Sequence, residues 1–121
     1  MNSYRDLEIY KMAHRLSIEV HKMSLTLPKY ELYEQGSQVR RSSKSIKDTI
    51  VEGYGRRRYK AEFIRFLIYA QASCDESIEQ LETINEIHFE SNKLNQLLEE
   101  YNHLGKKINK FIQYVESNWQ T

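Results

Sequence analysis

Residues 37–66 read SQVRRSSKSIKDTIVEGYGRRRYKAEFIRF, and this stretch carries the end of one helical seam, a chain reversal and the start of another seam. Upstream of the reversal, Leu32, Gly36, Val39, Ser43, Ile46, Ile50 and Gly53 recur at alternating spacings of four and three. That is the period of a helix that buries one stripe in a bundle. Gly53-Tyr54-Gly55 predicts the reversal, because glycine readily takes the left-handed conformation that closes a helix. Downstream the pattern resumes as Phe63, Leu67, Ala70, Cys74, Ser77, Leu81, Ile84 and His88.

The same spacing extends outward in both directions. Ile9, Ala13, Leu16, Val20, Met23 and Leu27 form a first helix that stops at Pro28, the chain's one proline. Leu94, Leu97, Tyr101, Leu104, Ile108, Phe111 and Val115 form a fourth, with Leu98, Ile112 and Trp119 beside the seam. Ser91-Asn92 supplies a polar break and an N-cap between the third and fourth helices. Helices of about 22–28 residues, spanning roughly 33–42 Å, with short links must run antiparallel. The expected fold is all-α, an up-down-up-down antiparallel four-helix bundle occupying residues 1–121 as a single domain.

The second helix has a thin seam. Gly36, Ser43 and Gly53 bury little, and Ser37, Ser42, Ser45 and Thr49 surround them with hydroxyls that need partners. Two readings stand: tight packing inside the bundle, or a second surface of this helix covered by something else.

Charge is distributed unevenly. Of 18 Lys and Arg residues, nine lie in Ser37–Phe66, where three acidic residues oppose them, so the segment carries +6. The other 91 residues hold nine basic and 14 acidic side chains, or −5, inside a chain of net charge +1. Such a local field attracts phosphate despite the near-neutral total. Arg56, Arg57, Arg58 and Lys60 follow the end of the second helix, where one or two cations would suffice to complement the helix dipole. The surplus, with Tyr54 and Tyr59 between, suits single-stranded or looped RNA through phosphate contacts and base stacking; capping and a protein partner are the competing readings. Arg40, Lys44 and Lys47 share one stripe on the shoulder of the core seam, with Arg41 turned away. That stripe reads either as a phosphate-binding ridge, with Arg65 as a further cation of the segment, or as a solvated flank.

Other constellations carry less chemistry. Asp75, Glu79, Glu82 and Glu86 form an acidic stripe with no nucleophile or partner histidine, either solvated or paired with the Arg40–Lys47 ridge of a neighbouring subunit. A bundle di-iron site needs two Glu-x-x-His pairs and two more inward carboxylates; only Glu100-x-x-His103 fits, so no metal is expected. His14 and His21 share a face without a third ligand and read as surface residues, and His88 as a helix-end residue. The single cysteine, Cys74, sits at a seam position as a small buried thiol. It excludes an internal disulfide and suits a reducing cytoplasm. No phosphate-binding glycine loop follows a strand, and no apolar run reaches the ~18 residues of a membrane span. No catalytic residue, cofactor or small-molecule substrate is expected.

Four segments together are recognisable: YRDLEIYKMAH (4–14), ELYEQGSQVRRSSKSI (31–46), IVEGYGRRRYKAEFIRFL (50–67) and YAQAS (69–73). They resemble the four-helix-bundle family encoded by intervening sequences of bacterial 23S rRNA genes, from Tyr4 to about Leu81. The matching positions are Gln38, Arg40, Arg41, Glu52, Gly53, Gly55, Arg56, Arg57, Glu62, Phe63 and Arg65. The resemblance implies a small helical bundle that commonly assembles as a homopentamer, with rRNA binding inferred from where the gene sits. It also links the chain to the accessory variability determinant of diversity-generating retroelements, a basic barrel that binds nucleic acid and a reverse transcriptase. This chain departs from the family at Lys47 and Thr49, where many members have proline and asparagine, and at Arg58-Tyr59-Lys60, where a serine or threonine usually opens the third helix. The resulting expectation is a non-enzymatic, cytoplasmic, self-associating RNA-binding bundle. The alternative is a scaffold whose basic loop engages an acidic protein such as a polymerase or reverse transcriptase.

Overall fold

A computed structural model describes residues 3–88 and 91–120. Four helices, α1 (Glu8–Ser24), α2 (Gln35–Gly55), α3 (Lys60–Ile87) and α4 (Asn92–Asn118), form an antiparallel up-down-up-down bundle, and no strand occurs among the described residues. Each helix packs on its chain neighbours and α1 closes the ring against α4, with the most intimate contact between α2 and α3. The core is the predicted seam: Leu16, Val20, Val39, Ile46, Ile50, Phe63, Leu67, Leu81, Ile84, Tyr101, Leu104 and Ile108 are all buried. In α4 the stripe drifts, because 3.6 residues per turn does not divide seven. Ile112 and Val115 are buried there, whereas Phe111 is only half-buried.

The helix ends differ from the sequence reading in instructive ways. The first helix stops at Ser24, before Leu27: the Thr26 and Leu27 amides bond to the Met23 and Ser24 carbonyls three residues back, at 2.9 and 3.3 Å, as the chain tightens ahead of Pro28. A 3-10 turn at Lys29–Glu31 follows Pro28, and α2 starts at Gln35, later than Leu32. Ser91 caps α4 as expected, its Oγ accepting from the Leu94 amide at 3.1 Å.

Gly53 and Gly55 do not make the reversal. Both are helical residues of α2, neither has a positive φ, and the chain turns at residues 56–59 instead. Gly53 serves close packing: a Cβ there would lie 3.0 Å from Phe66 Cβ and 3.4 Å from Phe63 Cδ1. The hydroxyls of α2 are answered by α3. Ser42 Oγ donates to Gln80 Oε1 at 2.7 Å, Ser77 Oγ donates to Ser42 Oγ at 2.9 Å, and Ser45 and Ser73 pair at 3.0 Å. Tight packing within the bundle therefore accounts for the small-residue seam.

Candidate nucleic-acid interface

The α2–α3 hairpin stands on an aromatic base. The buried ring of Phe63 meets Tyr54, Phe111 and Trp119 edge-on, at centroid distances of 6.2, 6.0 and 5.1 Å. Edge-to-face contacts of this kind add directional attraction to apolar burial. Trp119, just beyond α4, also donates its indole Nε1–H to the Arg57 carbonyl at 3.3 Å, tying the turn to the far end of the chain.

The cations above this base are not equivalent. Arg57 lies 4.1 Å over the Tyr54 ring and donates Nη1–H to the Tyr54 carbonyl at 2.9 Å. Arg56 lies 4.6 Å over the Phe66 ring, with Glu62 at 3.6 Å. Arg65 approaches the same carboxylate at 3.2 Å. Both Arg56 and Arg65 remain more than half exposed, so Glu62 neutralises part of their charge without enclosing them. Arg58 is exposed and has no ion-pair partner among the described residues. Lys60 is half-buried at the first position of α3, and Tyr59 between them is 64% exposed. Of the two tyrosines considered for base stacking, only Tyr59 is accessible; Tyr54 is 4% exposed and belongs to the core. Tyr59 precedes α3 without a side-chain cap, as the missing serine or threonine implies.

The second basic group occupies the opposite side of α2. Nine residues separate Lys47 from Arg56, which at 100° per residue is half a revolution. Arg56 faces α3, whereas Arg40, Arg41, Lys44 and Lys47 line a groove of about 400 Å³ between α1 and α2. Arg40 is partly committed internally: Nη1 donates to Ser24 Oγ and Nη2 to the Leu32 carbonyl, each at 2.8 Å. Arg41 and Lys44 are exposed, and Lys47 Nζ meets His14 Nδ1 at 3.1 Å. Cations adjacent in sequence are thus split between two surfaces.

The remaining candidates fall as follows. Asp75, Glu79, Glu82 and Glu86 are exposed along α3 and form no ion pair among the described residues. Glu100 pairs with Arg15 at 2.9 Å, and His103 is exposed beside it. Cys74 is buried, and its thiol donates to the Tyr101 carbonyl at 3.4 Å. Burial, aided by the Asp75 charge, pushes that thiol up to about 12. No described helix is long and apolar enough to cross a membrane.

Two features escaped the sequence reading. His88 does end α3, but its Nε2 also meets Glu31 Oε2 at 2.6 Å, pinning the α1–α2 connection to the end of α3. No local spacing relates two residues so far apart in the chain. A wider concavity of about 900 Å³ lies between α4 and the N-terminal segment, lined by His103, Lys106, Lys107 and Lys110 and reaching Phe111 of the aromatic base. Lys107 pairs there with Glu8. That hydrogen bond and charge hold the Glu8 carboxyl below the usual carboxylate range.

Fold and surface together define a class: an all-α four-helix bundle with cations displayed at one hairpin and along one flank. Within that class the chain belongs to the 23S rRNA-intervening sequence protein family, whose profile it matches over residues 5–110. No curated protein matches the chain.

Proposed function

We propose that this protein is a non-enzymatic RNA-binding bundle of the cytoplasm that acts as a homo-oligomer and contacts phosphate through its α2–α3 hairpin. The observation that carries the reading is the exposed succession Arg58-Tyr59, next to Arg56 and Arg57 and with no carboxylate answering Arg58 among the described residues. A guanidinium with free donors beside an accessible ring offers phosphate hydrogen bonding and a stacking face together. Arg57, held by Tyr54 and Trp119, positions the turn, while Arg56, Arg58, Lys60 and Arg65 supply the field. Membership of a family named for the 23S rRNA intervening sequence makes ribosomal RNA the first ligand to try. Copies of the chain in one assembly would multiply weak contacts into avidity.

The test is binding of structured rRNA fragments at two salt concentrations, for the intact chain and for Arg56/Arg57/Arg58→Ala. Phosphate-driven binding weakens steeply with salt and drops in the variant. Negligible affinity at low salt, or no loss in the variant, would favour a protein partner instead. One observation supports that second reading. Ile68 and Tyr69 are 51% and 45% exposed beside Arg65, a mixed apolar and cationic surface of the kind proteins use to bind proteins.

A further inference from the structure

The groove between α1 and α2 has a composition that the hairpin lacks. His21 of α1 lines it with Arg40, Arg41, Lys44 and Lys47 of α2, and His14, seven residues earlier on α1, stands at its end in contact with Lys47. The other groove residues are Ser17, Ile18 and Ser37, so neither helix contributes a carboxylate to it. Carboxylates of these helices are engaged or placed elsewhere. Glu19 pairs with Arg15 at 2.8 Å, Glu8 pairs with Lys107, and Asp48 and Glu52 are exposed on α2 outside the groove lining. The helices α3 and α4 contribute no residue to this groove.

Three physical consequences follow. Four cations line the groove and none is in an ion pair among the described residues, although Arg41 also borders the α2–α3 face that holds Glu76; this favours a ligand with several negative charges over a single anion. Both imidazoles are solvent-exposed, so an anion seated on the neighbouring cations can reach them. The Lys47–His14 contact requires the Nδ1 lone pair of a neutral His14, because an ammonium can only donate. Protonating His14 breaks that contact, adds a charge to the groove and frees Lys47 to turn outward.

We infer that the α1–α2 groove is a second, proton-linked site for a phosphodiester or polyphosphate chain, in which His14 and His21 strengthen binding as pH falls. The extended stripe, about 10 Å from Arg40 to Lys47 at 1.5 Å per residue, matches two to three consecutive phosphates better than one. This inference deepens the nucleic-acid reading, on which its choice of a phosphodiester rests. It adds a site on the opposite side of α2 from Arg56 and a dependence on pH that the arginine hairpin cannot provide.

The experiment uses the full chain and two probes, a 20-nucleotide oligouridylate and inorganic tripolyphosphate, at pH 6.0 and 7.5 and fixed ionic strength. Oligouridylate should bind about fivefold more tightly at pH 6.0. His14→Gln/His21→Gln, with both positions exposed, should fold normally and lose the pH dependence. Arg56/Arg57/Arg58→Ala should weaken binding at both pH values and keep their ratio. In NMR spectra at pH 6.5, tripolyphosphate should move the imidazole signals of His14 and His21 towards the protonated form. An unchanged pH ratio in the histidine variant, or motionless His14 and His21 signals, overturns the inference. Tripolyphosphate acting on both histidines without any oligouridylate binding leaves the groove established as a polyphosphate site and refutes the RNA reading.

Discussion

Arg40 reaches back from α2 to Ser24, the last residue of α1, with Nη1 2.8 Å from Ser24 Oγ while Nη2 takes the Leu32 carbonyl. One planar guanidinium thus satisfies acceptors on both sides of the α1–α2 connection. Gly36 is shaped to the same corner: a Cβ there would lie 3.0 Å from Arg40 Nη1 and 2.9 Å from the Glu31 carbonyl oxygen. Arg40→Ala should therefore lower stability by about 1–3 kcal/mol in urea denaturation, because two acceptors lose their donor. Arg40→Lys should recover less than half of that, since an ammonium cannot reproduce the fork. Lys44→Ala, at an exposed position of the same stripe, should change stability by less than about 0.5 kcal/mol.

Two glycines of α2 make a matched pair for a packing test. Gly53→Ala should destabilise by about 1–3 kcal/mol, because the added methyl meets Phe66 Cβ at 3.0 Å and the helices must separate. Gly55→Ala meets nothing within 4 Å and sits at a helical φ, so it should stabilise by about 0.4–1 kcal/mol. Equal effects of the two substitutions in thermal or chemical unfolding would refute the close-approach account of Gly53.

Removing His88 should expose how much the Glu31 contact contributes. Glu31 is 5% exposed, and His88→Ala leaves its carboxylate buried without the imidazole, a loss of about 2–3 kcal/mol. Glu31→Gln/His88→Ala should be less destabilised than the His88 single variant. A double-mutant cycle with no coupling would rule out a direct role for this pair.

Alkaline pH should destabilise the fold through buried acids. The Cys74 thiol is raised from 9.0 to about 12 by burial, and burial also raises the Tyr101 phenol. Below pH 9 both states keep the thiol protonated and it contributes no pH dependence. Above pH 9 for the thiol and above pH 10 for the phenol the unfolded chain ionises first, so unfolding is favoured, by up to about 1.4 kcal/mol per pH unit for each group. Stability measured from pH 8 to 10.5 should fall, and Cys74→Ala should remove about 2 kcal/mol of that fall. An identical pH profile in the variant would count against a buried, protonated thiol.

The seam periodicity was sufficient for the fold because each helix spends its apolar residues on one face, and Val20, Ile46, Leu67 and Leu104 occupy the interior as their spacing requires. Ends were less legible, since they depend on where the backbone changes its hydrogen-bond pattern and on what packs against the last turn. The turn to three-residue backbone bonds ahead of Pro28 shortens α1 relative to its apolar pattern, and Gly53 answers a neighbouring helix rather than a turn. At the basic surface, sequence gave the residues without their partners. Tyr54 looked available beside Arg56, yet it points into the core, because the last turn of α2 continues one residue beyond it. The two histidines of α1 gained meaning only when packing set His14 against Lys47 and His21 into the groove with Lys44.

Trp119 is the chain's one tryptophan, and its ring rests against Phe63 directly beneath the Arg57 turn. Its emission is consequently an optical gauge placed at the foot of the hairpin. A titration that changes the hairpin's environment can be followed in the native protein without attaching a dye.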